Sequence, residues 1–254
     1  MYKGKRIACV IPARLASHRF PEKMLKTIQG RPLLQWVWEA ASDVSLFDEV
    51  VFAVDDQRLL ECVTAFGGRG VLTSVACQCG TDRLVELCKR EAIDADIWVN
   101  WQGDEPFVKP LMITDLLSSI EQPDQDVWTL KTRITTSLDI TNRNIAKIVT
   151  SSTGRLLYTS RAPIPCVRDV QDLAKLVADG LYYKHVGLYA FTSAALLAIG
   201  AMPPGHLEEK EKLEMIRWLE HGLAVTVHPT AVEVFGIDTP EDLARAERFV
   251  VGAV

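Results

Sequence analysis

Arg14, Arg19 and Lys23 place three positive charges within ten residues, directly after an apolar run that ends at Ile11. A guanidinium offers a planar fork of donors to phosphate oxygens, and an ammonium supplies a mobile point charge. A strand that enters such a loop and then a helix can hold a polyphosphate, with the helix N-terminus adding backbone donors. A solvated basic loop is the competing reading of the same spacing. The segment is not a P-loop, because Gly-x4-Gly-Lys-Ser/Thr is absent. No Gly-x-Gly-x-x-Gly follows the first strand either, which argues against a nicotinamide dehydrogenase.

Two carboxylates extend the candidate chemistry. Asp104 lies in the turn Gln102-Gly103-Asp104-Glu105-Pro106, and Asp238 precedes a helix. Carboxylates at two strand ends can share Mg²⁺, which takes few protein ligands and completes its shell with phosphate and water. Turn formation at Asp104 and helix capping near Asp238 explain the same residues without a metal. His185 and Tyr189 are in phase on one strand and share a face. Glu208, Glu211 and Glu214 read as a solvated helix face. Cys77-Gln78-Cys79 is half a metal site at most, since no second Cys/His pair follows at zinc spacing.

The elements that must position these groups follow from hydrophobic pattern. Arg6 to Ile11, Val50 to Val54, Gly70 to Thr73 and Ile97 to Trp101 read as strands buried on both faces. Helices are expected over Leu33–Ala41 with Pro32 in the first turn, and over Gln57–Phe66, Thr81–Ala92 and Leu111–Glu121. This alternation predicts an α/β fold, a mainly parallel Rossmann-like open sheet flanked by helices. The polar loops at 12–23, 55–56 and 102–106 all fall at strand C-termini, where such sheets bind ligands. From about residue 127 the pattern turns antiparallel. Strands are expected at Trp128–Ile134, Ala146–Thr150, Arg155–Thr159, Tyr182–Phe191 and Leu223–His228. A charged helix is expected over Leu207–His221, with Glu208 and Lys212 as an i,i+4 pair. Thr239 caps a closing helix from Pro240, with Asp242 at its third position. One domain results, with a core over about 1–126 and 222–254 and an inserted antiparallel lobe over about 127–221.

The 254 residues carry a formal charge of −5, which argues against general binding to nucleic acid or membrane surfaces. No run is long enough for a membrane span, and the apolar stretch after the N-terminus is too short for a signal peptide. Six cysteines in this length do not form a disulfide framework. A cytoplasmic protein with reduced thiols is expected.

The chain resembles the CMP-Kdo synthetases (3-deoxy-manno-octulosonate cytidylyltransferases), of the nucleotide-diphospho-sugar transferase-like superfamily. Ile11-Pro12-Ala13-Arg14 with Ser17, Arg19, Pro21 and Lys23 matches the family's opening. Gly80-Thr81-Asp82-Arg83, Val99 to Pro106, Lys147, Leu157 to Pro165, Tyr183 to Ala190, Leu213-Glu214 and Asp238 to Leu243 follow in order. The resemblance implies transfer of CMP from CTP to an anionic sugar acid, by default Kdo, with pyrophosphate leaving. It assigns Arg14, Arg19 and Lys23 to the triphosphate, and Pro12, Ala13, Gly80 and Thr81 to the cytidine. Asp104 and Asp238 would hold Mg²⁺, and Arg83, Gln102, His185, Tyr189 and Glu214 would contact the acid. A homodimer built through the inserted lobe is also implied.

Departures from the family pattern carry their own expectations. Glu22-Lys23-Met24 replaces the usual Gly-Lys-Pro and sets an acid beside the triphosphate lysine. Cys77-Gln78-Cys79 replaces His-x-Ser. Met215 stands where a glutamine is usual, and loss of an amide that reads hydroxyls weakens recognition by ~1–3 kcal/mol if buried. An amino-modified Kdo (8-amino-Kdo), another ulosonic acid or a small phosphonate are therefore alternative acceptors. A non-catalytic nucleotide-binding homologue is the rival of a different class, opposed by Arg14, Lys23, Asp104 and Asp238.

Overall fold

The computed structural model describes residues 1–17, 19–169 and 172–252, and the chain divides into two compact units, Met1–Ile113 with Val234–Val254 and Thr114–Glu233. In the first unit β1 (Ile7–Ala13) is buried at all seven positions. A single 3-10 turn over Lys23–Leu25 leads to a small hairpin, β2 (Thr27–Ile28) with β3 (Arg31–Pro32). Then come α1 (Leu33–Ser42), β4 (Glu49–Val54), α2 (Gln57–Ala65), β5 (Arg69–Leu72), α3 (Gly80–Lys89) and β6 (Ile97–Asn100). These four longer strands run parallel in the order β6-β1-β4-β5. β1 is central, so both its faces need apolar side chains. Full burial of Ile7, Val10 and Ile11 contributes about 2 kcal/mol each.

The helices of this unit begin largely as expected. Asp56 caps α2 by accepting from the Arg58 amide. Pro32, however, is extended at the N-cap of α1 and belongs to β3 rather than to the first helical turn. α4 (Pro110–Leu116), within which the first unit passes into the second, stops well short of the expected Glu121. There the Ser118 hydroxyl donates to the Asp115 carbonyl, competing for a helix acceptor.

The second unit contains β7 (Val127–Arg133), α5 (Ser137–Thr141), β8 (Lys147–Thr150), β9 (Leu156–Ser160), α6 (Leu173–Ala178) and β10 (Tyr183–Thr192). It continues with α7 (Ser193–Ile199), α8 (His206–Glu211), α9 (Met215–Glu220) and β11 (Thr226–Pro229). β10 pairs antiparallel with β7 and β8, and β8 forms an antiparallel hairpin with β9. β11 instead joins β7 in parallel. The mainly parallel α/β architecture with an antiparallel insertion is thus present.

The expected single helix over Leu207–His221 is two short helices. Lys212 adopts a left-handed conformation with φ of 55°, ending α8. Arg161 donates from Nε to the Glu211 carbonyl at 2.8 Å, drawing that acceptor out of a continuing helix. The Glu208 carboxylate therefore does not pair with the Lys212 side chain, whereas the Lys212 amide donates to the Glu208 carbonyl. That carboxylate pairs with Arg217 at 3.1 Å and accepts from the Gly205 amide, capping α8. Among the described residues no helix is long and apolar enough to cross a membrane.

After the second unit the chain returns to the first and ends in α10 (Pro240–Gly252). Thr239 and Asp242 form the expected reciprocal cap: the Asp242 carboxylate accepts from the Asp238 and Thr239 amides, and the Thr239 hydroxyl accepts from the Asp242 amide. Phe249 on α10 packs against Phe107 and Phe235, with ring centroids 4.8 and 5.8 Å apart. This cluster anchors the segment that carries Asp238.

Candidate active site

The C-terminal ends of β1 and β6, the start of α3 and the segment before α10 enclose a cleft of about 320 Å³ in the first unit. Pro12, Ala13, Arg14, Arg19, Lys23, Gly80, Arg83, Gln102, Asp104 and Asp238 all line it. Two glycines let the three loops approach. A Cβ on Gly103 would lie 2.9 Å from the Pro12 carbonyl oxygen, and one on Gly80 would lie 3.0 Å from the Pro12 ring. Thr81 lies beneath the lining, buried, where its hydroxyl accepts from Asn100 Nδ2 at 3.3 Å. Asn100 Oδ1 in turn accepts from Gln102 Nε2 at 3.2 Å. His18, within the cationic loop, lies outside the described residues.

Lys23 is the centre of the cleft's electrostatics. Its ammonium donates to Asp104 Oδ2 at 2.6 Å and to Asp238 Oδ1 at 2.8 Å. Arg19 also reaches Asp238, at 3.0 Å. Burial lowers the Lys23 pKa, but the charges and hydrogen bonds of Asp104 and Asp238 outweigh it, and the net shift is upward. Burial opposes the ionisation of Asp238, yet Lys23 and Arg19 bring its pKa below the usual carboxylate value. Arg14 is exposed in the cleft.

The turn at 101–106 is closed by the Glu105 amide to the Gln102 carbonyl and by Trp101 Nε1 to the Glu105 carbonyl, not by the Asp104 side chain. The α10 cap is made by Thr239 and Asp242, not by the Asp238 carboxylate. Both carboxylates instead converge on one cation. The backbone brings them together directly, through the Ile237 amide to the Asp104 carbonyl at 2.9 Å.

This donor set fits Mg²⁺. Asp104 and Asp238 already share one cation, the Lys23 ammonium. Mg²⁺ bound through one or two carboxylates keeps positions for phosphate and water. Glu105, which inspection of the sequence did not single out, is a neighbour of both aspartates. Its Oε2 is buried without a partner, and its pKa is pushed up to about 8, by burial first and then by Asp104 and Asp238. Near pH 7 Glu105 is therefore a neutral acid beside the two aspartates.

Three departures look different in three dimensions. Glu22 occupies a left-handed conformation, φ 53°, where a glycine has no steric cost. Its carboxylate turns to Arg58 at 2.8 Å, so it is not the acid beside Lys23 that the sequence suggests. Met215, expected to lack the hydroxyl-reading amide of a glutamine, has no accessible surface and packs in the core of the second unit. Cys77 donates its thiol proton to Glu86 at 3.3 Å, and its pKa is raised to about 11 by burial and then by that bond, which keeps it a thiol.

Arg83, expected to face the acceptor's carboxylate, is 3% exposed. One terminal nitrogen donates to Thr73 Oγ1 and the Ser74 carbonyl, and the other to Asp55 at 2.8 Å. Most of its donor capacity is thus committed within the protein. In the second unit, His185 Nε2 and Thr129 Oγ1 are 2.9 Å apart, and the His185 ring lies 5.2 Å from Tyr189. Burial pushes the His185 pKa down to about 3, so the imidazole is neutral near pH 7. Tyr189 packs edge-on against Trp218 at 5.2 Å, and Glu214 stands at the N-cap of α9.

A parallel sheet that gathers a cationic loop and two aspartates at its strand ends places a ligand site where such sheets bind nucleotides, and the matches to known proteins make the chain a nucleotidyltransferase. The cytidylyltransferase family model matches residues 8–227. The chain is 45% identical to the 3-deoxy-manno-octulosonate cytidylyltransferase of Geobacter metallireducens, over 94% of this chain and 96% of that one. It is 44% identical to the protein of the same name from Geotalea uraniireducens, over 94% and 97%. A solved CMP:2-keto-3-deoxy-manno-octonic acid synthetase, complexed with CTP, superposes with a TM-score of 0.89 at 34% identity, covering 98% of this chain and all of the other. The chain belongs to the 3-deoxy-manno-octulosonate cytidylyltransferase family. A 4-diphosphocytidyl-2C-methyl-D-erythritol synthase from Anaerococcus prevotii, 13% identical with a TM-score of 0.63, shares the fold.

Proposed function

We propose that this enzyme transfers the cytidylyl group of CTP to 3-deoxy-manno-octulosonate, with Mg²⁺ held by Asp104 and Asp238. The observation that carries the reading is the convergence of both carboxylates on one cation, Lys23, in a cleft also lined by Arg14 and Arg19. A relative named for this acceptor at 45% identity, and a CTP complex of the same fold, support the choice of acceptor and donor.

In this reading an acceptor hydroxyl oxygen forms a bond to the α-phosphorus of CTP. The bond from that phosphorus to the pyrophosphate oxygen breaks, pyrophosphate leaves, and the hydroxyl proton passes to water. Bound Mg²⁺ supplies Lewis acidity and charge neutralisation for such a displacement. Arg14, Arg19 and Lys23 receive the triphosphate and stabilise the charge gathering on the departing pyrophosphate. Pro12, Ala13, Gly80 and Thr81 would seat the cytidine next to them, on the strength of the resemblance. Lys23 and Arg19 must exchange carboxylate oxygens for phosphate oxygens, which frees Asp104 and Asp238 for the metal. Positioning and electrostatics therefore provide most of the catalysis. The acceptor roles of Gln102, His185, Tyr189 and Glu214, and a cytoplasmic homodimer, belong to the same proposal and rest on the resemblance.

The test is pyrophosphate release from CTP with Mg²⁺ and a panel of Kdo, 8-amino-Kdo, another ulosonic acid and a small phosphonate. Kdo is expected to give the highest kcat/KM. A higher value with another acid would overturn the acceptor assignment, and silence with all of them would overturn the transferase reading.

A further inference from the structure

The cationic loop is bordered by open space on two sides. Arg14, Ser17 and Arg19 line the cleft, while Leu15, Ala16 and Ser17 line a second hollow of about 470 Å³ together with Asp55 and Asp56. Among the described residues from Arg14 to Arg19, one backbone hydrogen bond ties the loop to the rest of the unit. It runs from the Leu15 amide to Asp55 Oδ1, at 2.9 Å. The Arg19–Asp238 contact adds little fixed restraint, because both side chains are largely solvated, and phosphate would claim the same guanidinium.

Asp55 is itself held. It follows the last residue of β4, and its Oδ2 accepts from Arg83 at 2.8 Å in an ion pair that is 4% and 11% exposed. Arg83 is fixed in turn by Thr73 Oγ1 at 2.7 Å and by the Ser74 carbonyl, just beyond β5. Thr73 is bonded through both its amide and its hydroxyl to the Val54 carbonyl. A rigid chain of contacts therefore runs from the β4 and β5 ends through Arg83 and Asp55 to the backbone one residue beyond Arg14.

We propose that Asp55, oriented by Arg83, is a positioning residue for the nucleotidyl transfer: it clamps the Leu15 amide and so aims Arg14 into the cleft before nucleotide arrives. The inference rests on reading this loop as the triphosphate cradle. The physical gain is preorganisation, since a loop already ordered loses less freedom when it binds an anion. Asp55 lines the second hollow and not the cleft, so its effect on CTP passes through Leu15 or through Arg83, which does line the cleft, and exchange at the Leu15 amide separates the two routes. A role confined to fold stability would lower the melting temperature and leave each folded molecule binding CTP normally.

The experiment combines hydrogen exchange at the Leu15 amide of the free protein with calorimetric CTP affinity in the absence of acceptor. Asp55→Ala, Arg83→Met and the double variant are compared with wild type. Each single variant is expected to speed Leu15 exchange and weaken CTP binding at least tenfold. The double variant should be no worse than the weaker single, because the two residues act as one unit. Arg83→Lys, which keeps the charge but not the fork, should fall between wild type and Arg83→Met and carries the test if a truncated variant does not fold. Wild-type CTP affinity in folded Asp55→Ala would overturn the proposal, as would an unprotected Leu15 amide in the wild type. Failure of the wild type to bind CTP would overturn the cradle reading itself, whereas Leu15 exchange would still decide the tether.

Discussion

Replacing Lys23 by Met removes the charge at the centre of the cleft while keeping most of the side chain's volume. Lys23 is 9% exposed, and its two partners are 26% and 45% exposed. At the effective dielectric found near protein surfaces, unit charges about 4 Å apart attract by ~4 kcal/mol before desolvation is counted. Removing one partner of a buried pair costs about 3–5 kcal/mol. Asp238 is nearly half in water and retains Arg19, so its share is screened toward the exposed limit of under ~1 kcal/mol. The net expectation for Lys23→Met is a loss of roughly 2–4 kcal/mol, dominated by Asp104. Urea unfolding at pH 7.5 in a chelator measures it. Millimolar Mg²⁺ should then recover part of the loss in the variant and change the wild type little, because the wild-type ammonium holds the place between the carboxylates. An unchanged unfolding midpoint in the variant would refute the electrostatic argument, and an equal Mg²⁺ response in both proteins would refute the shared site. The pH dependence has a definite sign. The raised Lys23 pKa means that its contribution is complete below about 10.5 and is lost as pH rises through the higher folded value. The lowered Asp238 pKa means that the same interaction is present above 3.8 and is lost as pH falls through the lower folded value. These are two views of one interaction and do not add.

Three further outcomes follow from the same cleft and its supports. Asp104→Asn should reduce turnover by roughly a hundredfold or more, as expected for loss of a charge that organises a displacement, yet cost only about 1 kcal/mol in stability, because the amide oxygen still accepts from Lys23. Steady-state kinetics and a melting curve on the same sample check both. Glu105 is protonated in the folded protein up to about pH 8 and ionises near 4.5 when unfolded, so wild-type stability should fall as pH rises between those values, by at most ~1.4 kcal/mol per unit. Glu105→Gln removes that slope, and metal-free thermal scans from pH 5 to 9 should show the variant gaining on the wild type with rising pH. Asp242→Ala removes the carboxylate that caps α10 and should cost about 1 kcal/mol, measured by chemical denaturation.

Local features were legible wherever a short stretch of chain carries its own physical reason. The apolar run of β1 needs two covered faces, and the structure places that strand between β4 and β6. Thr239, Pro240 and Asp242 hold a helix start within four residues, and the cap forms as expected. The charged helix failed as an expectation because its interruption is not encoded by its own period. Arg161, about fifty residues upstream, withdraws the Glu211 carbonyl and leaves Lys212 left-handed. Glu22 likewise looked like a neighbour of Lys23 in sequence, but the turn sends its carboxylate to Arg58.

The sequence by itself determined the class of fold, the cationic loop and the family, because alternation, charge spacing and motif order survive without knowledge of any contact. Only the tertiary structure decided what the charges do. Lys23 meets Asp104 and Asp238 across 81 and 215 residues of chain, and the side chains rather than the turn or the cap claim those contacts. Asp55 acquires its role from Arg83 and Leu15, which lie 28 and 40 residues away. Such pairings depend on which strands are neighbours and where their ends fall. Ionisation depends on the same arrangement, and Glu105 becomes a neutral acid near pH 7 because folding buries it beside two other carboxylates.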